Sequence, residues 1–229
     1  MEENKKEEQT INTEELKKET QEAVNQVKDT IKNVDIKNDA KQATGFVKSM
    51  FKEPFETIRN IAENKTSDGL KIAIVFVAIW IVAEFLSVTI PVITSRYWNG
   101  TLAVERIFRI VKYTIAPILS VLVLSGIVYF MNKENKKSML TTITSISIAK
   151  IPVIFASVVS LITLISSNAT PVTSRFSSFC SVVSVILVYF SAKAICGEEQ
   201  NSKFIKKFVL MYGIYYAISL LAYYLGLYI

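Results

Sequence analysis

From residue 70 onward, apolar positions arrive in runs of about twenty, separated by short polar stretches. A helix rising 1.5 Å per residue needs about twenty residues to cross a hydrocarbon layer of about 30 Å. Five segments meet that length: 70–94, 110–131, 138–166, 177–196 and 206–229. None alternates with the period of two that marks a half-buried strand. The expected fold is therefore all-α: a polytopic integral membrane protein with five transmembrane helices. An N-terminal charged, partly helical tail precedes them.

The first 69 residues follow other periods. Residues 1–40 are rich in Glu, Lys, Asn, Gln and Thr. Val24, Val27, Ile31 and Val34 repeat at spacings of three and four, but over only two heptads, short of a self-sufficient coiled coil. This predicts a flexible or partly helical tail, with self-association or a protein partner helix as the sharper reading. Residues 41–65 carry an amphipathic stripe of Val47, Phe51, Phe55, Ile58 and Ala62, flanked by Lys41, Lys48, Lys52 and Arg59. Phe on one side and basic residues on the other suit a helix lying in the membrane interface; packing on the protein itself is the competing reading. Pro54 favours the first turn of a helix, so a break is expected near Glu53.

Composition sharpens this picture. Hydrophobic residues make up 51% of the 229, and mean hydropathy is +0.35. Residues 1–69 hold 12 Lys/Arg and 15 Asp/Glu, net −3; the remainder holds 14 and 5, net +9. The basic excess falls in short loops, where it orients spans in a membrane. Nucleic acid is not an expected partner, because no basic-aromatic surface stands outside the apolar region. Lys133, Lys136 and Lys137 follow the second span, and Lys203, Lys206 and Lys207 precede the fifth. These loops share a side with the tail. The expected location is the plasma membrane, multi-pass, with the N-terminus cytoplasmic and the C-terminus outside. The loop bearing Arg96, Arg106 and Arg109 conflicts with that charge rule; its interleaved Leu102, Val104, Ile107 and Ile110 suggest a short interfacial helix. The Lys-, Asn- and Ile-rich, Gly-poor composition suggests a bacterial source. The N-terminus lacks the apolar core of a cleavable signal.

Chemistry is sparse. The chain has no histidine, the commonest metal ligand and neutral-pH base. Cys180 and Cys196 lie about 24 Å apart along one helix and cannot bridge. No nucleotide, metal or nucleophile motif is present. No catalytic, metal or cofactor residue is expected, and neither is enzymatic activity.

Two charges sit deep in spans. Glu84 is about 21 Å and Lys150 about 18 Å from the same membrane face. Charges at such depth are costly and mark functional sites by default. A Glu84–Lys150 pair would relieve the cost; separately solvated charges, or an ion, proton or lipid-headgroup pathway, are the alternatives. Pro152 frees the Ile148 carbonyl and predicts a kinked third span, with Thr144, Ser145 or Ser147 as candidates to re-satisfy it; a helix broken in two is the sharper alternative. Ser177, Ser181, Ser184 and Ser191 form one small-residue face that suits close helix packing. Tyr223, Tyr224 and Tyr228 suit an interfacial aromatic belt.

A tail, the segment FKEPFETIRNI with Pro54, the run KKSMLTTITSISIAKIP entering the third span, and a fifth span without a following tail together resemble the Yip domain (Ypt/Rab-interacting) family in its bacterial form. The resemblance covers roughly residues 50–229. It implies five spans, a kink at Pro152, and a non-enzymatic role in membrane organisation or protein and lipid interaction. Lys150 departs from the uncharged residue usual there, and the family's eukaryotic Asp-Leu-Tyr-Gly-Pro motif is absent. A small transporter or channel component using Glu84 and Lys150 is the alternative.

Overall fold

The computed structural model describes residues 13–33, 36–63, 68–94, 100–132, 137–197 and 201–224. The protein is an all-α polytopic membrane protein. Four described helices are long and apolar enough to cross a membrane, and a bent helix pair supplies the fifth crossing if counted as one span.

Two helices precede the spans proper and a third leads into them. Helix α1 (Thr13–Lys32) packs on α4 and α6 and is pinned where the Tyr129 hydroxyl donates to the Glu19 carboxylate. Val24 and Ile31 of its apolar stripe stay exposed, and Val34 lies outside the described residues. Helix α2 (Ile36–Lys52) buries Ala43, Phe46 and Met50, one turn apart each. The chain breaks at Glu53 (φ −141°), and α3 (Pro54–Ala62) starts with Pro54 in its first turn, where its missing N–H costs nothing. Because of that break, the 47–62 stripe is not one continuous face. Ile58 and Ala62 are buried at 1% and 0% exposure, whereas Phe51 is 79% exposed and Phe55 49%. Val47 is half-buried against the core. Helix α3 packs between α6 and α8. The interfacial-helix expectation is corrected for Ile58, which belongs to the protein core.

The spans are α4 (Gly69–Thr94), α5 (Gly100–Met131), the pair α6 (Met139–Ala149) and α7 (Ile151–Ser160), α8 (Thr170–Cys196) and α9 (Asn201–Tyr224). The separate interfacial helix expected near Arg106 and Arg109 does not form; those residues extend α5. At 32 residues α5 is about 48 Å long and overshoots a 30 Å apolar layer, so its charged end stands beyond that layer without a break. Arg96 lies outside the described residues.

Helix α6 is the hub, packing against α3, α4, α5 and α8. Ser138 caps it, its Oγ accepting from the Thr141 N–H at 3.1 Å. Its interior is rich in hydroxyls, and Thr142, Ser145 and Ser147 are buried. Small hydroxyl side chains let backbones approach closely in a membrane. Thr142 and Ser147 satisfy themselves on the Ser138 and Ile143 carbonyls.

The third span is not one kinked helix. It is two helices meeting at Lys150 with a bend of 45°. The N–H groups of Val153 and Ile154 both turn to the Lys150 carbonyl, which leaves the Ala149 carbonyl without its helical donor. Ser184 of α8 donates to that carbonyl at 3.0 Å, one residue along from the Ile148 carbonyl that Pro152 itself frees. A proline break in a membrane helix is thus completed from the neighbouring span. Ser184→Ala should cost about 1 kcal/mol, read as a lower Tm in detergent; Ser181→Ala, on a side chain that makes no such bond, should cost less. Equal effects would discount the Ser184 bridge.

Candidate functional site

Glu84 and Trp80 stand one turn apart on α4, so the Trp80 Nε1–H donates to Glu84 Oε1 at 3.2 Å. Ser157 of α7 donates to the same oxygen at 2.8 Å. Ser87 Oγ–H donates to the Glu84 backbone carbonyl at 2.8 Å. The carboxylate is therefore tied to two helices, with its Oε2 making no hydrogen bond among the described residues.

Lys150 occupies the break between α6 and α7 and is 8% exposed. Its ammonium lies 5.6 Å from the centre of the Tyr215 ring on α9, a contact worth about 0.5–2 kcal/mol. Tyr215 is itself held by a 2.8 Å hydrogen bond between its hydroxyl and Ser120 of α5. No carboxylate among the described residues comes within ion-pair distance of Lys150. The direct Glu84–Lys150 pair considered from the sequence is absent. Counting along the helices placed the two charges at one level, but the Glu84 carboxylate meets Ser157, seven residues and about 10 Å of helix beyond Lys150.

They do open onto one space. A cleft of about 560 Å³ is lined by Trp80 and Glu84 from α4, Tyr113 and Ser120 from α5, Lys150 and Val153, Ser181 and Ser184 from α8, and Tyr212, Tyr215, Tyr216, Ser219 and Tyr223 from α9. The Ser219 Oγ is buried and has no hydrogen-bond partner. A second cavity of about 360 Å³ shares Glu84 and Tyr113 and runs to Arg106 and Arg109 at the far ends of α4 and α5. Arg109 lies 5.8 Å from the centre of the Tyr113 ring.

Helix α9 forms the loosest wall. Of its apolar window 11% is buried within the bundle, against 44% for α8. Sequence reading missed its contribution, taking Tyr223 for part of an aromatic belt. The signal was available: Tyr212, Tyr215, Tyr216, Ser219 and Tyr223 recur at helical spacing as one polar stripe on an otherwise apolar span. Tyr224 is 83% exposed, and Tyr228 lies outside the described residues. The serine face also divides: Ser181 and Ser184 line the cleft, while Ser191 is buried away from it.

Pro152 lies elsewhere. It lines a separate apolar groove of about 430 Å³ with Val47, Phe51, Phe55, Phe155 and Phe179. Phe51 meets Phe155 edge-on at 6.3 Å, and Phe55 meets Phe190 at 4.1 Å. Cys180 and Cys196 are both buried, and neither is in a disulfide. Among the described residues, no group of three or more His, Cys, Asp or Glu is placed to hold a metal.

The fold and cleft define a helical, multi-pass membrane protein with a polar chamber among its spans. Compared with protein-family models, curated proteins and solved structures, the chain matches none.

Proposed function

We infer that this is a non-enzymatic membrane protein that holds a lipid or similar amphiphile in the Lys150–Glu84 cleft and organises its membrane surroundings. One observation carries the reading: a buried ammonium, without a carboxylate partner among the described residues, faces a hydroxyl- and tyrosine-lined cleft. A charge at that depth is costly unless a partner completes it, and cavities of several hundred Å³ with few convergent polar groups are typical ligand sites. The loose α9 wall offers sideways entry from the bilayer. The Yip-like resemblance of residues 50–229 agrees with such a role, and α1, with Val24 and Ile31 exposed, offers a surface for a protein partner or a second copy. In this reading the protein sits in the plasma membrane with α1–α3 cytoplasmic and the Arg106 end of α5 outside.

The test is lipid retention. Protein extracted in mild detergent should carry bound lipid into native mass spectrometry. Ser219→Phe, which fills the cleft from its half-buried wall, should remove most of it while helix content is kept. Equal lipid in both proteins would sink the reading.

The second cavity favours a further reading, a small transporter or channel component. It continues the polar lining from Glu84 towards Arg106 and Arg109. Flux in proteoliposomes that is lost on Glu84→Gln would support it; absent flux would remove it.

A further inference from the structure

The cleft presents two opposite charges that do not neutralise each other. On one wall the Lys150 ammonium has neither a hydrogen bond nor an ion pair among the described residues, only the Tyr215 ring, and the residue is more than nine-tenths buried. On another wall Glu84 uses Oε1 for Trp80 and Ser157 and leaves Oε2 unbonded. Both line the same space, and they are further apart than an ion pair allows. Trp80, Tyr113 and the α9 tyrosines fill much of the lining between them.

A purely anionic ligand would satisfy Lys150 but bring negative charge beside Glu84. A purely cationic one would do the reverse. In a low-dielectric interior each leaves an uncompensated charge, which is strongly unfavourable. A ligand carrying an anion and an ammonium a few bonds apart satisfies both walls and adds no net charge. Aromatic faces also suit an ammonium. The hydroxyl of Ser219, buried and without a partner, is left to donate to an anionic oxygen.

We propose that the cleft is a site for a zwitterion, with its phosphate or carboxylate on Lys150 and its ammonium between the Glu84 carboxylate and the aromatic wall. This rests on the reading of the cleft as a ligand site and specifies what occupies it. The same chemistry is presented by an aminophospholipid headgroup and by a free water-soluble zwitterion.

The experiment uses the full chain in maltoside detergent, with short-chain probes and intrinsic tryptophan fluorescence as readout, since Trp80 lines the cleft. The probes are dihexanoyl-phosphatidylethanolamine, dihexanoyl-phosphatidylglycerol and glycerophosphoethanolamine. The zwitterionic lipid should bind at least tenfold more tightly than the anionic one. Glu84→Gln, which keeps an oxygen for Ser157 and Trp80, should erase that preference. Lys150→Met should weaken both lipids; if it does not accumulate, the wild-type preference and the Glu84→Gln arm decide alone. Glycerophosphoethanolamine binding as tightly as the lipid would support the proposal with a soluble source, and lipid-only binding would support it with a membrane source. Equal binding of the two lipids by the wild type, or a preference that survives Glu84→Gln, would overturn it. Saturable binding that favours phosphatidylglycerol would leave the cleft a lipid site while refuting the zwitterion. No binding by any probe would defeat both.

Discussion

Exchanging the two intramembrane charges should not restore the protein. Glu84→Lys and Lys150→Glu should each lower the Tm in detergent by roughly 5–10 °C, from a burial cost of about 2–4 kcal/mol. The double exchange should be no better than the worse single variant. The reason is that each charge is fitted to partners other than its opposite. Glu84 Oε1 accepts from the Trp80 N–H and the Ser157 hydroxyl. An ammonium there would face an indole donor that cannot accept, whatever stands at position 150. Lys150 lies over the Tyr215 ring, and a carboxylate would meet the electron-rich face that attracts cations. Glu84→Gln should be much milder, because the amide oxygen keeps both acceptor bonds. Recovery of the double variant to within about 2 °C of the wild type would show that the charges meet directly, against the geometry.

How much of this was legible in the sequence follows from what sets each feature. The spans were legible because a bilayer imposes a length and an all-round apolarity that few other contexts demand; the end of α4 at Thr94 and the C-cap of α8 at Gly197, with φ 62°, need no tertiary information. The break at Glu53 was legible for the same local reason, a proline that prefers the first turn. Glu84 and Lys150 were visible as costly charges, but their partners were not. Ser157 lies beyond the bend in α7 and Tyr215 in the last span, and only the 45° turn at Lys150 and the rotation of α9 bring them in. Counting residues from a span's end leaves both the register and the facing of one span against another open: Glu84, counted level with Lys150, meets Ser157 two turns further on. The same limit explains the third span. Pro152 announced a freed carbonyl at Ile148, but not that the Val153 N–H would also leave Ala149, whose donor is Ser184 on α8, a residue whose serine stripe spoke only of close packing.

Replacing Ile58 by Asp should nearly abolish folded protein, while Phe51→Ser should be tolerated. Both positions belong to one amphipathic stripe in sequence, and both would matter alike if the stripe lay on a lipid surface. In the fold Ile58 is 1% exposed on α3, wedged between α6 and α8. Aspartate there loses the packing of a large aliphatic side chain, about 2–5 kcal/mol, and buries a charge. Phe51 is 79% exposed and meets Phe155 edge-on at the rim of the apolar groove, so its loss should stay near 1 kcal/mol. Size-exclusion profiles of detergent extracts, read through a fluorescent fusion, would show a monodisperse peak for Phe51→Ser and little or none for Ile58→Asp. The difference carries mechanism as well as stability. Helix α3 braces α6, and α6 ends at Lys150. A membrane-proximal helix that only rested on lipid could be lost without touching the cleft; one that braces α6 cannot. Phe51→Ser as damaging as Ile58→Asp would return α2 and α3 to the interface and detach them from the site.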